Sequence, residues 1–140
     1  YHQYAPFYSE LWHKLRTGDT LLYSWDIGMG VNFTSLFAYY LASPINWLIA
    51  LLPQKYMIEI MNMLIVMKLC ASSVTFSYYI SKHFHTKKCT IALFGMFYAL
   101  SAYSAAYSWN IMWLDCIVLI PLIMLGLEKL VDENKAICTA

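Results

Sequence analysis

The stretch from Trp109 to Leu127, WNIMWLDCIVLIPLIMLGL, constrains this chain more than any other. About 20 predominantly apolar residues suffice for a helix to cross a bilayer, so the run reads as a membrane span. Yet it carries a carboxylate, Asp115, just inside its start. A charged side chain costs about 2.5–3.5 kcal/mol at the centre of a span and less toward the interface. Trp109 and Trp113 belong at the headgroup level, which puts Asp115 just below it, at the mouth of a helical bundle. Pro121, further along, has no N–H and leaves the carbonyl of Ile117 without its helical donor. A carboxylate at the rim of a kinked span points to a site for a polar or charged group.

The rest of the composition agrees with a membrane protein. Hydrophobic residues make up 61% of the chain and charged ones 12%, against about 25% charged in ordinary globular domains. The net charge of +1 says nothing about nucleic acid, and no basic cluster is dense enough to argue for it as a partner. Cys70, Cys89, Cys116 and Cys138 form no CxxC pair and fall in or beside apolar runs; they read as small buried apolar residues rather than a metal site or a disulfide framework. The chain opens on an aromatic, polar segment without a signal-peptide pattern. It is therefore expected to be a fragment of a longer multi-span protein, cut inside a loop.

The expected fold is all-α, a polytopic bundle of about three spans preceded by a loop of interfacial or re-entrant short helices over residues 1–55. Residues 4–17 read as an amphipathic helix, with Pro6 in the first turn and Gly18 as its stop. Tyr4, Phe7, Tyr8, Leu11 and Leu15 recur at helical spacing, leaving Ser9, Glu10, His13 and Lys14 for the opposite, solvated side. Leu21 to Asn32 reads as a structured loop in which Gly28 and Gly30 make a tight turn, with an anion-binding nest as the less favoured alternative. Asp26 in this loop could cap, ligate or be solvated, and Asn32-Phe33-Thr34 matches a glycosylation acceptor pattern. Two short apolar helices, 36–42 and 44–52, are expected to break at Ser43-Pro44, with Ser43 as cap.

The membrane region then occupies residues 56–140, with spans expected at about 57–80, 89–107 and 111–130. The first carries Glu59 near its start and Lys68 near its middle. At about 100° per residue, Lys68, Ser72, Thr75 and Tyr79 share one face, and a polar stripe in a span points into a bundle or wet cavity. The alternative is a buried lysine paired with a carboxylate for packing alone. In the second span Gly95 and Ala99, then Ala102 and Ala106, place small residues four apart, the spacing that lets helices approach closely. The loop Ser81–Lys88 holds Lys82, Lys87 and Lys88 and reads as cytoplasmic; His83 and His85 read as part of that solvated basic loop rather than as metal ligands. Glu128–Lys135 is expected as the next loop on that side. Residues 1–55, Glu59, the Ser108–Asn110 turn and Asp115 then fall on the outer side.

The series Gln3-Tyr4, Pro6-Phe7, Tyr23-Ser24-Trp25, Gly28, Gly30, Asn32, Tyr39-Tyr40-Leu41 and Ser43-Pro44 with Asn46 is followed by Lys68, Tyr98-Ala99-Leu100-Ser101 and Asn110 to Asp115 with Pro121-Leu122. In this order over nearly the whole chain it resembles the YfhO family of bacterial multi-span membrane proteins. That family is similar to GT-C glycosyltransferases, which use a polyprenyl-phosphate sugar on the external face; some relatives are implicated in decorating teichoic acids. The resemblance implies an acidic residue early in the first external loop as base or metal ligand. The family pattern places this aspartate upstream of Tyr1, so the fragment alone is expected to be inactive. The resemblance also leaves room for a divalent metal without identifying one.

The functional reading is transfer of a sugar from a polyprenyl-phosphate donor to a cell-envelope polymer at the outer face of the bacterial plasma membrane. Asp115, with Asp26 and Glu59 behind it, is the catalytic candidate. Lys68, Arg16, Trp109, Asn110 and Trp113 are the candidate substrate contacts. The alternative is a transporter or permease component whose polar path is lined by Lys68 and Asp115.

Overall fold

The computed structural model describes residues 2–84 and 87–133. Cys138, His85 and the end of Glu128–Lys135 lie outside the described residues; the described part of that expected loop, through Glu133, is helix instead. The fold is all-helical apart from one two-residue antiparallel ladder. Among the described residues three stretches are long and apolar enough to cross a membrane, Gln54–His83, Lys88–Tyr107 and Ile111–Val131. The chain divides into two compact units, residues 1–65 and 66–140.

The first unit begins with α1 (Tyr4–Thr17), closed by Gly18 at φ 71°, whose N–H bonds to the Lys14 carbonyl. A left-handed residue at this place satisfies an orphan carbonyl, and glycine adopts it without a Cβ penalty. Tyr4, Tyr8 and Leu11 are buried as the spacing predicts. The polar side of α1 departs from expectation, because Glu10 and Lys14 are buried as well. The following segment folds back as a hairpin, β1 (Tyr23–Ser24) pairing with β2 (Val31–Asn32), and covers them. The hairpin tip is the tight turn expected: Gly30 donates to the Ile27 carbonyl at 3.0 Å, and a Cβ on Gly30 would collide with the Tyr23 hydroxyl.

The chain continues through α2 (Phe33–Leu36), capped by Asn32, whose side chain accepts from the Ser35 N–H at 3.4 Å. It then widens into a π-helical turn at Phe37–Leu41 and a 3-10 helix at Pro44–Leu51. The break at Ser43-Pro44 is where the proline requires it, but the Ser43 side chain makes no cap bond. Asn46 works there instead, its buried amide donating to the Leu41 carbonyl at 3.1 Å. Trp12 Nε1 donates to Leu52 O at 2.7 Å, Arg16 Nε to Ala50 O at 3.0 Å, and Gln54 Nε2 to Ser9 Oγ at 2.8 Å. These bonds strap α1 to the segment leading into the first span.

That span is α3 (Met57–His83), and α4 (Lys88–Ala99), α5 (Ala102–Tyr107) and α6 (Ile111–Glu133) follow. Gly95 is buried against α3, where a Cβ would collide with Ser77 Oγ and lie 2.8 Å from the Ser73 carbonyl. Ala99 is buried too, whereas Ala102 and Ala106 are exposed. The small-residue spacing thus serves close packing only in its first half. The reason is a break at Leu100–Ser101, which the sequence reading places within one continuous helix. Ser101 sits in an extended conformation and Leu100 N–H closes the end of α4 onto the Met96 carbonyl.

Candidate functional site

Lys68 is 0% exposed, and its ammonium donates to Asp115 Oδ2 at 2.8 Å and to the Ile111 carbonyl at 3.1 Å. Asp115, on the first turns of α6, keeps 26% of its side chain exposed. A buried ammonium in a span requires such partners, since unmet charge in a low-dielectric region is strongly disfavoured. The polar face of α3 continues with Ser72, also buried, whose hydroxyl donates to the Leu69 carbonyl, and Thr75, which donates to the Ser72 carbonyl. At the far end Tyr79 donates to Glu128 Oε1 at 2.7 Å, and His83 Nδ1 lies 3.3 Å from Glu128 Oε2. The stripe read from the sequence is real. It meets carboxylates of α6 at both ends.

Pro121 is buried within α6, and the helix runs through it. The Ile117 carbonyl orphaned by that proline accepts a hydrogen bond from the Tyr98 hydroxyl at 2.9 Å. The Tyr98 ring in turn stacks on Phe76 of α3, with centroids 4.4 Å apart and planes 8° apart. Tyr98 therefore joins α3, α4 and α6 at one level, a role the sequence reading missed. Its signal was a phenol in an apolar span, paired with a proline in the next. Beside it an apolar groove of about 370 Å³ is lined by Tyr98, Ser101, Tyr103, Trp113 and Ile117, among others. Trp113 and Trp109 are exposed and Asn110 is buried at the start of α6.

In the first unit the Lys14 ammonium donates to the Thr20 carbonyl at 2.9 Å and the Tyr23 carbonyl at 3.0 Å. It also lies 3.5 Å from Glu10 Oε1 and 3.6 Å from Asp19 Oδ2. Glu10 Oε1 accepts from Ser24 Oγ at 2.6 Å, and the Asp26 N–H donates to the same Ser24 hydroxyl at 3.2 Å. Residues four apart on a helix share a face, and here that face carries the charges that hold the hairpin down. A cavity of about 330 Å³ opens beside them. It takes in Glu10, His13 and Asp26 but not Glu59.

Asp26 and Glu59 are both exposed members of the first unit, while Asp115 and Lys68 belong to the second. Arg16 is exposed, with its guanidinium 5.4 Å from the Trp12 ring centroid. Cys70, Cys89 and Cys116 are free thiols on the helix surfaces, which corrects their reading as buried residues: an apolar residue of a span is satisfied as well by lipid as by protein. Among the described residues no three of His, Cys, Asp and Glu converge in a way that would hold a metal ion, so no step is assigned to one.

The sequence profile of the family described as "Bacterial membrane protein YfhO" matches residues 1–138. No curated protein and no solved structure matches the chain.

Proposed function

Because the chain belongs to the YfhO family of bacterial membrane proteins, we propose that it is part of a glycosyltransferase-like membrane protein. The reaction is transfer of a sugar from a polyprenyl-phosphate donor to a cell-envelope polymer such as a teichoic acid. A carboxylate takes the proton from an acceptor hydroxyl as its oxygen attacks the anomeric carbon. The bond from that carbon to the phosphate oxygen breaks, and polyprenyl phosphate departs with the electron pair.

The observation that carries this reading is the Lys68–Asp115 pair at the start of α6. It holds a partly exposed carboxylate in one orientation beside Trp113 and the Trp109-Asn110 turn. With its ammonium committed to Asp115 and to a backbone carbonyl, Lys68 positions that carboxylate rather than meeting the departing phosphate. Asp115 organises the polar rim. Arg16, exposed and bonded through Nε alone to the Ala50 carbonyl, stays the candidate cation for the phosphate, whose developing charge a cation would stabilise. Asp26, in the loop assigned to the outer side, and Glu59 stand behind Asp115 as acid–base candidates.

The test is transfer of labelled sugar to the cell-wall polymer by full-length Asp115→Asn protein. A loss of transfer of 100-fold or more, the order that one general acid or base contributes (about 10²–10⁴), is expected. Unchanged transfer would remove the assignment. Since Asp115→Asn strands a buried ammonium, the double variant Lys68→Met/Asp115→Leu is measured alongside: it restores an uncharged interior and should still fail to transfer.

A further inference from the structure

The cavity beside α1 is the most chemically defined space that the Lys68–Asp115 site does not use. Its depth is set by Glu10, 8% exposed, and its rim by His13 and Asp26, both exposed. Ser24 ties the Glu10 carboxylate to the backbone at Asp26, donating to Glu10 Oε1 and accepting from the Asp26 N–H. Glu10 Oε1 is engaged, whereas among the described residues Oε2 accepts no hydrogen bond. Gln54 has its amide N–H committed to Ser9 Oγ, which leaves its carbonyl oxygen as a further acceptor. The lining therefore offers acceptors in excess, and a ligand must bring donors.

Two carboxylates lining one cavity disfavour phosphate or carboxylate groups. An ammonium ligand is disfavoured for a different reason. The charge of Glu10 already has Lys14 at 3.5 Å, and among the described residues no Phe, Tyr or Trp lines the space to make the cage that organic cations favour. Pro6 and Ile27 supply apolar walls instead, suited to the C–H face of a ring whose hydroxyls point to the oxygens. A volume of about 330 Å³ sits at the low end of ligand pockets, which run from about 300 to 1,000 Å³. One ring-sized unit fits.

We propose that the Glu10–His13–Asp26 cavity binds one neutral, polyhydroxylated unit, a sugar ring or a polyol, by hydrogen bonds donated from its hydroxyls. It rests on the transferase reading and gives residues 1–65 a sugar-binding subsite of their own. Asp26 and His13 give the ligand its orientation, and Glu10, locked by Ser24, anchors the hydroxyl that enters deepest.

The experiment is saturation-transfer NMR on the full-length protein in nanodiscs free of sugar-based detergent, titrated with neutral methyl hexosides. Saturable binding is expected, weakened about tenfold by Asp26→Asn or His13→Ala, the order of one lost hydrogen bond to a charged group. Both residues are exposed, so these variants keep the fold. Glucose 6-phosphate should bind more weakly than the neutral hexosides. Equal binding to wild type and Asp26→Asn overturns the proposal, as does displacement of the hexoside by methylammonium. Hexoside binding by a wild type that transfers no sugar would support this site while removing the transferase reading; transfer with no hexoside binding would do the reverse.

Discussion

Lys68 and Asp115 show what one pair of side chains decides in a membrane helix. Removing one partner of a buried ion pair costs about 3–5 kcal/mol, because the other is left charged and unmet. Lys68 is the more deeply buried partner, so Asp115→Asn is expected to destabilise more than Lys68→Met, which leaves a carboxylate that reaches the surface. Thermal melting of the purified variants checks the order, and the Lys68→Met/Asp115→Leu double variant should recover most of the loss. Asp19 carries a different prediction. The backbone N–H of Thr20 and then the nearby Lys14 charge hold its carboxyl below the ordinary value of 3.8. A depressed folded value means the contribution is fully present above the unfolded value and disappears as pH falls through the folded one. Protection of the Thr20 amide against hydrogen exchange should therefore be constant from neutral pH to about pH 4 and fall below it. In Asp19→Asn that acid-side loss should be absent.

Elements here are joined by repairs to their own defects. The proline that interrupts the hydrogen-bond ladder of α6 is complemented by the hydroxyl of Tyr98 on α4, and the same ring packs flat on α3. Tyr98→Phe keeps the stacking and removes only the hydroxyl. Side-chain hydrogen bonds within membrane bundles contribute about 0.6 kcal/mol on average and up to about 1.7, so a loss in that range is expected from equilibrium unfolding in detergent. A change outside the error of zero in the stabilising direction would contradict the repair. The break between α4 and α5 is a related case. Neither proline nor glycine marks it, only Leu100-Ser101, and so periodicity alone runs a single helix across it. The first small-residue pair, Gly95 and Ala99, packs because it precedes the break; Ala102 and Ala106 follow it and are turned outward.

For the whole molecule the proposed function depends on sidedness, with the lysine-bearing hairpin between α3 and α4 inside the cell. A cysteine introduced at Ser108 in a protein lacking its other thiols should then react with an impermeant maleimide in intact cells. Labelling only after lysis would reverse the orientation and remove the outer-face chemistry. The spans and the ends of α1 were legible in the sequence to within a few residues. Length, apolar composition and a glycine stop act locally, and each leaves its mark in the residues it concerns. The lysine stripe was legible for the same reason, since helical spacing alone aligns Lys68, Ser72, Thr75 and Tyr79. What lay on the other side of each face was not. Glu10 and Lys14 look solvated on a helical projection, and become the buried anchor of the hairpin only because a later segment folds over them. Which carboxylate answers Lys68, which hydroxyl answers Pro121 and which loop covers α1 were decided by tertiary structure alone, because pairing depends on the rotation and approach of separate elements, and no single stretch of chain encodes its neighbour's position.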